Sequence, residues 1–303
     1  MKILITGANG MVGKNLVEIL TEQDCKILTP TSSQLDLRNL DCVDKYMGIN
    51  KPDLIVHLAS VVGSIQEKIL NPFTYLSENI SIDNNVINAA YKNNIRKVIN
   101  VSSLLAYPHQ NTKPLSEELI TKKGEVCFHK NPYAISKSLS IKLCSLLHYQ
   151  NNMFRYISLI PCSIYGCYDN YDSEKSHFIA AAINKIHRNK SGAVRIWGDG
   201  MVYREVIFAE DFAKIIWGVI QKYEELPSCI NVGSGVFKSI TEYYIAIGKV
   251  LGYKGRFEFD HGKPSGDTIN ILDTTILSNH IPLKFTNFDE GIKLAYQEFI
   301  TRS

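Results

Sequence analysis

At 303 residues, 45% of them hydrophobic and 21% charged, the chain has the size and make-up of an ordinary globular protein with one large domain, or one domain and a smaller appendage. Its 33 basic and 30 acidic residues leave a net charge of +3 with no basic tract, so no nucleic acid is expected as a partner. Seven scattered cysteines without C-x-x-C spacing and eight histidines without H-E-x-x-H spacing argue against a disulfide framework and for no metal.

Lys2–Thr6 is a short apolar run that reads as a first strand, with no signal-peptide pattern ahead of it. No apolar run reaches the roughly 18 residues of a membrane span, so no membrane is expected and a cytoplasmic location is. The strand opens into Gly7-Ala8-Asn9-Gly10-Met11-Val12-Gly13 and then an amphipathic helix with Leu16, Val17, Ile19 and Leu20 on its inner side. Strand, glycine turn and helix is the context in which G-x-x-G-x-x-G binds a dinucleotide. The glycines keep the turn tight and let backbone N–H groups approach a pyrophosphate at the helix N-terminus.

Further strands are expected at Cys25–Thr29, Asp53–Leu58, Lys97–Ser102 and Phe154–Leu159, with helices over about Thr74–Asn93 and Pro132–Tyr149. This alternation predicts an α/β fold, a Rossmann-type doubly wound parallel sheet whose ligand lies beyond the carboxyl ends of the strands. Gly7–Gly13, Leu58-Ala59-Ser60, Ser102-Ser103 and Pro161–Ile164 fall at those ends. Past Leu159 the alternation is irregular: helix near His177–His187, strands at Val194–Trp197 and Arg204–Phe208, then helices at Asp211–Tyr223, Thr241–Leu251 and from Asp289. The expected division is a cofactor domain over 1–160, completed by parts of 190–240, and an interleaved smaller C-terminal α/β substrate lobe over 161–303.

Asn131-Pro132-Tyr133-Ala134-Ile135-Ser136-Lys137 reads as a helix start, with Asn131 as N-cap and Pro132 at the first helical position. Tyr133 and Lys137 then share a face, and an ammonium beside a phenol favours the phenolate, which makes the tyrosine usable as an acid or base.

The glycine pattern, Ser103 four residues before Tyr107, and Tyr133-x-x-x-Lys137 together resemble the extended short-chain dehydrogenase/reductases. Ser176-His177, Ile196-Trp197-Gly198-Asp199-Gly200, Tyr203-Arg204-Glu205, Ile230-Asn231-Val232-Gly233-Ser234-Gly235, Gly252-Tyr253-Lys254-Gly255 and Lys263-Pro264-x-Gly266 narrow the resemblance to the GDP-L-fucose synthase family, nearly end to end. The resemblance implies that Tyr133 protonates the oxygen at sugar C4 while NADPH delivers hydride to that carbon. Lys137 would tune the phenol and hold the nicotinamide ribose, and Ser103 would hydrogen-bond the ketone oxygen.

It implies NADP(H) as cofactor, held by Gly7, Asn9, Gly10, Met11, Val12, Gly13, Leu58, Ala59, Ser60, Ser102, Tyr133, Lys137, Pro161, Ile164 and His177. Leu28-Thr29-Pro30-Thr31-Ser32 carries no acid to repel a 2′-phosphate, although the family's usual arginines are missing and Lys14 is the nearest cation noted. Asp36 and Leu37 fit the position that contacts the adenine; Asp36 fits helix capping equally. Ser103, Leu105, Lys185, Trp197, Arg204 and Lys263 are implied around a GDP-linked 4-keto-6-deoxy sugar, hexose or heptose.

The pattern departs from the family at one place. The family reads Ser-Ser-Cys-Ile-Tyr-Pro, its cysteine being the base of C3/C5 epimerisation, whereas this chain reads Ser103-Leu104-Leu105-Ala106-Tyr107-Pro108, aligned without a gap, with Leu105 where the base belongs. His177 keeps the place of the family's partner acid, and Cys167, two residues past Tyr165, is either a substitute base or part of the pocket wall. The family's Lys-Pro-Asp-Gly-x-x-Arg-Lys loop has lost its basic pair over Lys263–Asn270. The resulting expectation is a C4 reductase without epimerase activity, against a bifunctional epimerase/reductase or a dinucleotide sensor. The resemblance also implies a homodimer that pairs the Thr74–Asn93 and Tyr133 helices.

Overall fold

A computed structural model describes residues 1–107, 114–121, 131–172, 176–263 and 271–302. The chain runs β1 (Lys2–Thr6), α1 (Met11–Thr21), β2 (Lys26–Leu28), α2 (Leu40–Asn50), β3 (Leu54–His57), α3 (Ile65–Leu70), α4 (Pro72–Lys92) and β4 (Lys97–Val101). A 3-10 turn at Leu104–Ala106 and the short α5 (Glu118–Thr121) precede α6 (Pro132–Gln150) and β5 (Arg155–Pro161). Then come β6 (Ser163–Tyr165), α7 (Phe178–Arg188), β7 (Ala193–Trp197), β8 (Tyr203–Phe208) and α8 (Ala209–Gln221). The last are β9 (Cys229–Val232), β10 (Phe237–Ser239), α9 (Ile240–Leu251), β11 (Arg256–Asp260), α10 (Thr275–His280) and α11 (Phe288–Arg302).

Six parallel strands form the central sheet in the order β2-β1-β3-β4-β5-β9, the doubly wound arrangement expected. The order reverses at β1, so the crevice lies where the chains leave the carboxyl ends of β1 and β3. Because side chains alternate along a strand, the sheet feeds two cores. Ile3, Ile5, Leu54, Val56, Ile99 and Ile157 point to one layer, which includes Leu16 and Leu20 of α1 and Phe212 and Ile216 of α8. Leu4, Ile55, Val98 and Tyr156 point to the other, with Met47 of α2, Val86 of α4 and Cys144 of α6. That second face ends in a polar row, since the register aligns Thr6 with His57, His57 with Asn100, and Asn100 with Ser158. All four are buried, and each must find a partner inside the protein.

Beyond β5 the chain builds a smaller region. β8 pairs antiparallel with β10 and parallel with β6, while β7 and β11 form a separate parallel pair. Its core gathers Ile179, Ile183 and Ile186 of α7, Tyr243 and Ile247 of α9, and Phe288 and Ile292 of α11. Sequence periodicity misses β6, β10, β11, α3 and α10 because each spans only three to six residues.

Asn231, part of the Ile230–Gly235 motif, turns out to be a structural clasp. Its side chain accepts from Tyr107 Oη (2.7 Å) and donates to the carbonyls of Leu115 (2.8 Å) and Asp273 (3.0 Å), and its backbone N–H donates to Glu117 (2.9 Å). Pro108, Cys127 and the Pro264–Asn270 loop named from sequence lie outside the described residues. Among the described residues no helix is long and apolar enough to cross a membrane, and no cluster of three or more His, Cys, Asp or Glu could hold a metal.

Asp169, after β6, is buried beneath α11, where Arg302 Nη2 donates to its carbonyl (2.9 Å). Burial pushes its carboxyl up to about 7, against the Asn170 N–H and the Arg302 charge. The folded state therefore keeps Asp169 protonated where the unfolded chain ionises, so stability is full below about pH 4 and falls as pH rises toward 7. Asp169→Asn keeps the acceptor for the Asn170 N–H and should raise the stability at pH 8 by on the order of 4 kcal/mol, with little change near pH 4. Urea melts at the two pH values check this.

Candidate active site

The glycine turn is fixed by steric necessity. Gly7 has φ 73°, and a Cβ there would stand 2.7 Å from Ala59 N; one on Gly13 would stand 2.6 Å from Ala8 Cα. Gly10 is less confined, its nearest neighbour being the Gly7 carbonyl at 3.3 Å. Gly10 is the N-cap of α1 and provides no side-chain acceptor, so the first N–H groups of the helix face the crevice as an anion cradle. The cradle fits a dinucleotide pyrophosphate. Asn15 secures α1 from behind, donating to the carbonyls of Met11 (2.8 Å) and Cys167 (3.2 Å).

After β3, Asn79 of α4 shapes the loop that carries Ala59 and Ser60. It accepts from Ser60 Oγ (2.6 Å) and Val61 N (2.8 Å) and donates to the Val61 carbonyl (3.0 Å). At the end of β2 the hydroxyls of Thr31 and Ser33 lie 2.9 Å apart, and Thr31 N donates to Gln34. One expectation changes here. Asp36 is not the cap of α2: Asn39 is, accepting from Cys42 N, while Asp36 accepts from Arg38 N and Nε. Lys14 lies 5.1 Å from the centre of the Tyr168 ring, and Arg38, overlooked in the sequence, is a cation of this loop region, paired with Asp36 at 2.9 Å and Glu78 at 3.8 Å.

α6 begins as expected, with Asn131 Oδ1 accepting from Tyr133 N (3.1 Å) and Pro132 in the first turn. Lys137 Nζ lies 5.9 Å from the Tyr133 ring centre. Lys137 is 2% exposed, and its ammonium contacts both oxygens of Asp83 from α4, at 3.2 and 3.3 Å. Burial, the largest single influence, would lower the lysine pKa, but the Asp83 charge and hydrogen bond together with the Tyr133 phenol raise it; Lys137 and His57 together hold the carboxyl of Asp83 below its usual range despite burial. The sequence reading missed Asp83 and Asn79. Their signal was two polar residues four apart on the apolar stripe of α4, among Ile82, Val86 and Ala89.

Ser102 and Ser103 leave β4 in different roles. Buried Ser102 donates to the Lys137 carbonyl (3.0 Å) and braces α6. Ser103 accepts from Leu105 N (3.2 Å), which leaves its own proton free for another acceptor. Leu105 is half-buried against the main core and offers no proton chemistry. Cys167 is a poor substitute base: burial and the nearby Glu298, Glu210 and Glu18 push its thiol up to about 11. His177, the N-cap residue of α7, is open to the crevice, and the protein around it and the Lys68 charge both draw its pKa down, leaving a neutral ring at pH 7. Lys68 of α3 was not expected either. Its ammonium lies 4.7 Å from the Tyr133 ring centre, and burial draws its pKa to about 8.

In the smaller region, Lys185 Nζ and Lys263 Nζ each lie 5.4 Å from the Trp197 ring centre. Lys185 also donates to the Arg195 carbonyl (3.0 Å). Arg204 stands on β8, its Nη1 donating to the Tyr203 carbonyl (2.8 Å). Pro161 and Ile164 flank the β5–β6 junction, where Cys162 N donates to the Val232 carbonyl (2.9 Å).

Residues 3–233 match the model of the NAD dependent epimerase/dehydratase family. The chain belongs to that family. The chain is 40% identical to a GDP-L-colitose synthase of Yersinia pseudotuberculosis, over 99% of this chain and 98% of that one. It is 38% identical to a GDP-L-fucose synthase of Azorhizobium caulinodans, over 99% and 96%. In structure it resembles a GDP-6-OMe-4-keto-L-xylo-heptose reductase from C. jejuni, with a TM-score of 0.91 at 24% identity over 100% and 98% of the two chains, a likeness of fold.

Gly13→Ala should cost about 3 kcal/mol or more, because its Cβ meets backbone that cannot yield. Gly10→Ala should cost less stability, on the order of 1 kcal/mol as the poorer N-cap, yet bind NADPH more weakly, because the methyl intrudes on the cradle. Thermal melts and NADPH fluorescence titration separate the two effects.

Proposed function

We propose that the chain is an NADPH-dependent reductase of the C4 ketone of a GDP-linked 4-keto-6-deoxy sugar, hexose or heptose, and that it does not epimerise its substrate. The observation that carries this reading is the set Ser103, Tyr133 and Lys137 beside the glycine cradle, with Leu105 where a base would have to stand. Its relatedness to a GDP-L-colitose synthase and a GDP-L-fucose synthase supports a GDP-sugar as substrate.

When bound, the cofactor supplies the hydride. The α1 N-terminus and the turn from Gly7 to Gly13 hold its pyrophosphate, and Lys137 holds the nicotinamide ribose and orients the phenol. The Tyr133 hydroxyl gives its proton to the C4 oxygen as that oxygen gains charge, and the free proton of Ser103 steadies the same oxygen. Neutral His177 serves as a hydrogen-bonding wall of the sugar pocket. Trp197, Lys185, Lys263 and Arg204 hold the GDP, combining ring stacking with cations for the diphosphate. In this reading residues 1–160 with parts of 190–240 form the cofactor domain, and 161–303 the sugar-nucleotide lobe. The enzyme works in the cytoplasm in surface polysaccharide synthesis, as a homodimer pairing α4 and α6. Exposed Phe73 on α4 and Leu146 and Tyr149 on α6 support that pairing.

A second reading, a bifunctional epimerase/reductase, is favoured by Lys68, an amine with its pKa near 8 against the Tyr133 ring. Incubation with a GDP-4-keto-6-deoxy sugar in D2O without NADPH separates the two. The reductase reading expects no deuterium at C3 or C5; catalytic incorporation that disappears in Lys68→Met would install the second. Tyr133→Phe should lower turnover by roughly a hundredfold or more while NADPH binding is retained. Undiminished NADPH oxidation by that variant would sink both readings.

A further inference from the structure

We propose that Asp83 is the positioning residue of the reduction, fixing the Lys137 ammonium against the cofactor turn through a buried line of hydrogen bonds. The inference rests on the ketone-reductase reading above for the role of Lys137.

The line can be followed atom by atom. Lys137 Nζ meets both oxygens of Asp83, and both side chains are 2% exposed. Asp83 Oδ1 also meets His57 Nε2 at 3.0 Å, and His57 Nδ1 meets Thr6 Oγ1 at 2.7 Å. Thr6 Oγ1 in turn accepts from Ala59 N (3.4 Å), in the loop after β3. The geometry fits the His57 tautomer with its proton on Nε2, which gives each contact in the line one donor and one acceptor. Its Nε2–H donates to Asp83, the Thr6 hydroxyl donates to Nδ1, and the Thr6 oxygen accepts from Ala59. Thr6 immediately precedes Gly7, so the ammonium is tied to the backbone that shapes the cofactor cradle.

A buried ion pair is a poor device for stability alone, because two well-packed apolar side chains of similar volume often do as well. The alternative was at hand on α4, where the neighbouring buried positions are Ile82, Val86 and Ala89. What an apolar pair cannot do is hold a charge beside a reacting phenol. An ammonium with no counter-charge at this depth would shed its proton. Among the described residues, the titratable groups around Lys137 are Asp83 from α4, His57 from β3 behind it, and Tyr133 and Cys144 from α6 itself. Lys68 from α3 lies against the Tyr133 ring, with His177 within reach of its charge.

The test compares Asp83→Asn, Asp83→Glu, Lys137→Met and the double variant Asp83→Asn/Lys137→Met in the full chain. Readouts are thermal stability, NADPH affinity by fluorescence, and kcat against pH with a GDP-4-keto-6-deoxyhexose. Asp83→Asn should lower kcat about a hundredfold and bring the alkaline limb of its pH profile to lower pH, because the amide no longer holds the lysine proton. Asp83→Glu should restore most of both. A folded Asp83→Asn with the wild-type kcat and pH profile overturns the proposal.

The Lys137→Met background keeps the test decisive even where Asp83→Asn alone does not fold, since the double variant buries no unpaired charge. The double variant should bind NADPH as Lys137→Met does and melt higher than it, because it removes the carboxylate that Lys137→Met leaves buried without its counter-charge; a further loss of about tenfold in affinity shows that Asp83 acts independently of Lys137 and overturns the proposal. A wild-type chain that does not reduce the ketone refutes the function proposed above, while the NADPH affinities across the four variants still report the Asp83–Lys137 coupling.

Discussion

A lysine cannot lie at 2% exposure as an ammonium unless a counter-charge lies there too, and the site follows from that constraint. Lys137 must stand one helical turn from Tyr133 and reach inward, so α6 has to pass close to a helix that offers a carboxylate. That helix is α4, which packs along α6 and presents Asp83 on its buried face. Asp83 needs a donor on its other side, and His57 at the end of β3 provides it. His57 needs Thr6, and Thr6 ends the strand that opens into the glycine turn. The positions of α4, α6, β3 and β1 are thus coupled by a single line of polar contacts at the carboxyl edge of an otherwise apolar sheet.

The same edge explains the division of labour between the two layers. The face formed by Ile3, Ile5, Val56 and Ile99 is apolar to its end and packs on α1 and α8, a plain support for the glycine turn. The opposite face begins apolar, with Leu4, Ile55 and Val98, and ends in Thr6, His57, Asn100 and Ser158. Asn100 continues the polar row, donating to Ser140 of α6 at 3.1 Å. Rigid packing therefore lies behind the glycine turn, and directional hydrogen bonds lie behind Tyr133 and Lys137, where orientation matters more than volume.

In the function proposed above, Leu105 is the position at which the epimerase chemistry is given up. Leu105 lies in the 3-10 turn and its N–H donates to Ser103, so the serine is oriented by backbone whatever side chain stands at this position. Loss of one chemistry without disturbance of the other is possible because the hydroxyl is held by the backbone of residue 105, not by its side chain. His177, which the resemblance pairs with the epimerase base, has its pKa lowered by desolvation and by the Lys68 charge.

Local features were legible in the amino-acid sequence because local sterics alone decide them. The turn at Gly7 and Gly13 admits no Cβ, Asn131 and Pro132 start a helix, and four residues of helix put Tyr133 and Lys137 on one face. The alternation of apolar runs fixed the parallel α/β sheet for the same reason. What stayed hidden were the partners that arrive from elsewhere in the chain. Asp83 lies 54 residues from Lys137 and 26 from His57, and Lys68 reaches Tyr133 from a helix too short to show a period. Periodicity identifies a buried face, but the partner of a polar group on that face depends on strand register and on which helices pack together. The sequence by itself determined the cradle and the Tyr133–Lys137 pair; only the tertiary structure decided that the lysine is held by an aspartate, because that contact exists only once β1, β3, α4 and α6 are assembled.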